Sequence, residues 1–91
     1  MTRVVIDPDE VRHFARELMR SAVALHDGKS QLASHFRELR DVWHDRKYEQ
    51  FDRVFADTMA RLEQFLHEAA VYADYLERKA RKADVYLQGG Y

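Results

Sequence analysis

Five histidines, sixteen acidic and fifteen basic side chains are the groups with which this chain could do chemistry, and their spacing decides which chemistry is open. His13, His26, His35, His44 and His67 are scattered. If the chain doubles back near Trp43, His26 approaches His67, with Glu63 one turn before it. Metal sites in helical bundles are built from inward Glu and His side chains on facing helices, and these histidines read instead as surface residues. Cysteine is absent, so disulfides and thiolate ligands are excluded. Asp45 has no second carboxylate, nucleophile or base placed with it in sequence, so acid–base catalysis finds no set of groups to use. No phosphate-binding loop is present. The expectation is a non-enzymatic chain with no metal and no cofactor.

The basic residues form two groups. Arg12, Arg16 and Arg20 make a stripe near the N-terminus, and Arg78, Lys79, Arg81 and Lys82 cluster near the other end. Doubling back places them together, where they would suit an acidic partner or nucleic acid. Asp9, Glu10, Glu17 and Glu77 are interleaved with them, and the net charge is −1. Binding driven by phosphate neutralisation wants a marked basic excess. The patch therefore reads as a solvated end, and nucleic acid is disfavoured as a partner.

The elements that position these groups follow from periodicity. Apolar residues recur every seven positions at Val11, Leu18, Leu25, Leu32 and Leu39, and again at Tyr48, Phe55, Leu62, Ala69 and Leu76. A seven-residue repeat keeps one side of a helix against a neighbour. Reversal at Trp43-His44-Asp45 pairs Leu39 with Tyr48, Leu32 with Phe55, Leu25 with Leu62, Leu18 with Ala69 and Val11 with Leu76. The pattern predicts one all-α domain over 1–91, a long antiparallel helix-turn-helix hairpin. Helix 1 should span about 8–41, the turn 42–45 and helix 2 about 46–88. Asp7, Pro8 and Glu10 suit a helix start, with Ile6 and Val11 as a hydrophobic staple. Residues 1–6 are expected to be extended. Asp45 suits the second N-cap and Gly89 the position after the second helix. Gly28 should leave helix 1 continuous, at a cost of about 1 kcal/mol. Glu49–Arg53, Asp57–Arg61, Asp74–Arg78 and Glu77–Arg81 have i,i+4 spacing and mark an outer, solvated face.

Beside the mirrored rows lies further apolar surface: Phe14, Ala15, Ala22, Phe36 and Trp43 on helix 1, and Phe51, Met59, Phe65, Leu66, Tyr72 and Ala73 on helix 2. Two helices can cover a narrow seam but not a stripe this wide. The expectation is dimerisation into a four-helix bundle, with Phe14, Phe36, Phe51, Met59, Phe65, Leu66 and Tyr72 at the dimer interface. Trp43 at the tip is either a docking residue or a lid on the end of the core. Its ring is expected on Phe51 and Val42, with Asp45 at the rim of the groove. The longest apolar runs are too short to span a bilayer, and the first residues lack the apolar core of a classical signal peptide.

A hairpin of about this length with tryptophan at its turn resembles the WXG100 family, small substrates of type VII secretion systems. Trp43 matches the family tryptophan, Phe51 a common aromatic eight residues on, and Val5-Ile6-Asp7-Pro8 the segment before helix 1. The family glycine is Asp45 here, and Lys47 and Tyr48 replace residues that are usually small. The family's late Tyr-x-x-x-Asp/Glu export motif has no counterpart after Tyr72, Tyr75 or Tyr86; only Tyr48, beside the tip, has an acid at that spacing, Asp52. The resemblance implies fold and dimerisation more strongly than export. It implies a secretion substrate or secretion partner that dimerises with itself or a sister hairpin and engages a secretion ATPase. Such a chain is cytoplasmic before export and leaves the cell without a classical signal peptide. The alternatives are an intracellular helical adaptor that binds partner helices through its apolar stripe, and, behind it, a nucleic-acid-binding bundle.

Overall fold

Both helices begin where an aspartate satisfies free amides. In the computed structural model, which describes residues 6–88, Asp7 is extended and its carboxylate accepts the N–H groups of Asp9 at 3.1 Å and Glu10 at 3.4 Å. Pro8 occupies the first turn, where its missing N–H costs nothing. Helix α1 then runs Pro8–Leu39. It stops two residues before the expected 41, because the amides of Arg40 and Asp41 turn back to the carbonyls of Arg37 and Glu38. The amides of Val42 and Trp43 both donate to the Leu39 carbonyl and close the turn. Asp45 caps α2, accepting the Tyr48 N–H at 2.9 Å, and α2 runs Arg46–Leu87. Residues 1–5 and Gly89, for which extended chain and a helix-ending role are expected, lie outside the described residues.

The two helices, of 32 and 42 residues, lie antiparallel. Arg12 near the start of α1 pairs with Asp84 near the end of α2, while Phe36 near the turn stacks on Tyr48. The helix is continuous through Gly28. The molecule is a rod, with Cα extents of 66 × 27 × 15 Å. Two helices side by side account for the width, and the thickness is that of a single helical layer.

The interhelical seam differs from the mirrored one on α1. Among the described residues the buried apolar set is Ala15, Ala22, Tyr48, Ala69, Ala73 and Ala80. The α2 row is as the periodicity predicts, with Tyr48 and Ala69 buried and Phe55, Leu62 and Leu76 half-buried. On α1, however, Leu25 and Leu32 are 42% and 51% exposed. The row facing α2 is instead Ala15, Ala22, Lys29 and Phe36, also spaced by seven. Helix α1 is thus turned by about 40–50° from the leucine-centred reading. The physical reason is size: alanines let the two backbones approach where leucines would hold them apart. The turn also brings Arg12 to Asp84 and Lys29 to Glu63. The leucine row is left at the edge of the seam.

Candidate functional site

The leucine edge of α1 joins an aromatic edge of α2 on one side of the rod. Near the tip the two form an open groove of about 540 Å³, lined by Leu32, His35, Phe36, Leu39, Phe51, Val54, Phe55, Thr58 and Met59. The same heptad rows continue away from the tip through Leu25 and Leu18 on α1, and through Phe65 and Tyr72 on α2. Phe51, Phe65 and Tyr72 are all roughly half exposed, as is Phe14. Among the described residues these side chains form an exposed apolar face along one side of the rod.

The opposite face is held differently. Arg12 makes a two-pronged contact with Asp84, at 2.6 and 3.1 Å, and also reaches Asp9. Lys29 pairs with Glu63 at 3.0 Å, and its own side chain is mostly covered. Shallow depressions on this side mix Met19, Val23 and Leu66 with His26 and His67, and, further along, Ala70 and Ala73 with Arg16, Arg20, Asp74 and Glu77. The hairpin therefore has an ion-paired face and an apolar face.

The seven residues expected at a dimer interface divide accordingly. Phe14, Phe51, Phe65 and Tyr72 are on exposed surface. Phe36, Met59 and Leu66 are half-buried along the hairpin's own seam. Phe36 in particular stacks on Tyr48 and Phe55 at 5.0 and 4.4 Å and meets the edge of Phe51 at 5.5 Å. That cluster locks the two helices together just below the turn.

At the tip Trp43 is half-buried and sets its ring edge-on against Tyr48, with centroids 5.4 Å apart. The expected contacts with Val42 and Phe51 are replaced: Val42 is 82% exposed, and Phe51 turns toward Phe36 and Phe55. Tyr48 is the residue that wins the tryptophan, because it is buried directly beneath it. His44 lies against another edge of Tyr48 and stands 3.8 Å from Glu49. The Asp45 carboxyl is held below its ordinary range, first by the Tyr48 backbone N–H it accepts and second by the Trp43 side chain. The Trp-His-Asp triplet is thus a compact aromatic cap with an anionic rim.

The two basic groups are not one patch. Arg12 and Arg20 are engaged by acids on their own side, and Asp74, Glu77 and Asp84 lie between the α1 stripe and the α2 cluster. Arg78 is paired with Asp74 at 3.2 Å, and Arg61 with Asp57 at 2.9 Å. The expected pairs Glu49–Arg53 and Glu77–Arg81 are not formed among the described residues. His26, His67 and Glu63 do line one depression, as the fold-back predicts, but Glu63 is engaged by Lys29. Glu10 and His13 have Glu-x-x-His spacing, and both are exposed at the start of α1. Among the described residues no group of three or more His, Cys, Asp or Glu is placed to hold a metal ion. No described helix is long and apolar enough to cross a membrane. No protein-family model, curated protein or solved structure matches this chain.

Proposed function

We propose that this chain is a binding subunit of WXG100 type, a type VII secretion substrate or secretion partner that works as a homo- or heterodimeric four-helix bundle. The observation that carries the proposal is the one-layer rod with an apolar face beside Leu25 and Leu32 on α1 and Phe51, Phe65 and Tyr72 on α2. A hairpin whose buried residues, among those described, are five alanines and one tyrosine has little core of its own. A second hairpin laid on the apolar face would complete one, leaving the ion-paired face to water. The tryptophan at the turn, only partly buried, supports the secretion reading over a generic adaptor. On this reading the mechanism is presentation: the bundle stiffens the rod and displays the tip to a translocation ATPase or a co-secreted chain.

Two measurements test it separately. Light scattering at micromolar concentration should give twice the chain mass for the wild type, and a lower mass for Phe65→Glu, since a carboxylate buried without a partner is costly. A folded, helical monomer throughout that range would remove the bundle. In a host carrying a type VII system, the chain co-expressed with a sister hairpin should reach the medium only when the secretion ATPase is intact. A dimer that stays inside such cells would leave the adaptor reading in its place.

A further inference from the structure

One titratable group stands among the apolar side chains of the groove near the tip. Seven of the nine lining residues are apolar; the other two are Thr58 and His35, and His35 is exposed. His35 immediately precedes Phe36, a seam residue. It therefore stands about 100° round α1 from the seam, on the groove side and nearly at right angles to the layer of the two helices. The register of Lys29–Glu63 and Phe36–Phe55 puts Thr58 at its level on α2. The charged groups of this side lie outside the groove lining. On α1 they are Glu38, at the next turn, and Glu10 and Glu17, about 27 Å or more away toward the other end. On α2, Lys47, Arg61 and Glu68 share a seven-residue row with Val54, and Arg61 is held by Asp57 at 2.9 Å.

We infer, on the bundle reading proposed above, that a second copy of this chain covers His35 and that acid separates the pair. The area suits a second copy: half of a 66 × 27 Å side is about 900 Å², against the roughly 800 Å² that each partner gives to a standard interface. A second copy also matches the rod from end to end. It brings the same groove, in whose lining His35 is again the one titratable group. Under that cover a neutral imidazole has the Thr58 hydroxyl as a hydrogen-bond partner. An imidazolium has no carboxylate in the groove to balance it. Desolvation therefore favours the neutral form in the pair. A proton carried on the open face is shed on pairing, so association is complete above the ordinary imidazole range and is lost as pH falls through it. The other histidines stand apart from this face. His26 and His67 are on the ion-paired face, and His13 and His44 are exposed near the start of α1 and at the turn, so they charge alike in single and paired chains.

The test is sedimentation equilibrium of the purified full chain at about pH 7.5 and about pH 5.5. Across that range an ordinary imidazole goes from about one-tenth to about nine-tenths charged. Each imidazole that must be neutral then weakens pairing about tenfold, and the pair holds two, so the wild-type dissociation constant should rise about 100-fold. His35→Gln keeps a polar side chain without the titration, and its constant should change little. His35→Leu should pair more tightly at both values, also without a slope. A monomer at both values overturns the bundle of two copies, and the acid response with it. Three results overturn the acid response and leave the bundle standing: a dimer equally tight at both values, a dimer that tightens in acid because Glu68 of the second copy meets the imidazole, or a His35→Gln variant with the wild-type slope.

Discussion

Asp45 shows how one side chain at the tip does several jobs. It caps α2 through the Tyr48 amide and holds the rim of the Trp43 cluster. Its carboxyl is depressed below the ordinary value of 3.8, so its contribution is complete above that pH and is lost as pH falls through the folded value. The Tyr48 amide resonance should therefore titrate with a midpoint below 3.8, and should lose that titration in Asp45→Asn. A midpoint at or above the ordinary value would show that the cap does not form in solution. Trp43 rests on Tyr48 by one edge and is half open. Trp43→Ala should cost only about 1–2 kcal/mol in thermal or denaturant unfolding, less than the 3–5 of a core aromatic. On the secretion reading the same variant keeps its dimer and loses export. A loss of 3 kcal/mol or more would make the ring part of the core and remove it as a docking residue. The position of Trp43 at the turn was legible because the heptads mirror each other across it. Its contacts were not, because a turn places side chains by local dihedrals that no periodicity records.

At the scale of the element, the helices and their caps were plain in the residues, and the rotation of one helix about its axis was not. Asp7-Pro8 and Asp45 each announce a helix start, and both helices begin there. On α1, two rows spaced by seven compete to face α2, one of leucines and one containing Ala15, Ala22 and Phe36. Hydrophobicity favours the leucines. Close approach and the pairs Arg12–Asp84 and Lys29–Glu63 favour the alanines. A reading of apolar spacing alone weighs only the first of these. Gly28 offers a clean test of the α1 surface. A Cβ built there meets nothing within 4 Å, and the residue sits inside a continuous helix. Gly28→Ala should raise stability by about 1 kcal/mol, read as a higher denaturant midpoint at constant slope. A destabilised Gly28→Ala would mean that another chain comes close to α1 at this point, and that the partner covers more of the helix than the leucine edge.

The whole molecule poses a question of balance. Fixing helices of 32 and 42 residues costs conformational entropy at every residue of both. The return inside one hairpin is limited to an alanine seam, an aromatic cluster at Phe36 and Tyr48, and two cross-helix ion pairs. Helices within proteins owe most of their stability to packing of an apolar face, and here much of that face is still open. If the rod is completed by a second copy or a sister chain, folding and association are one equilibrium. The midpoint temperature of the purified chain should then climb as protein concentration is raised a hundredfold, by several degrees for a chain of this size. Phe65→Glu should lower the midpoint at every concentration and flatten its dependence, because it removes association and leaves the seam intact. Phe14→Ser should act in the same direction more weakly, since Phe14 lies on the outer margin of the same side. Substitution at Lys29, on the ion-paired face, should lower the midpoint without flattening the curve. A midpoint independent of concentration, together with high helicity at nanomolar protein, would show that the seam suffices alone, and the apolar face would then be kept for a partner met only after folding.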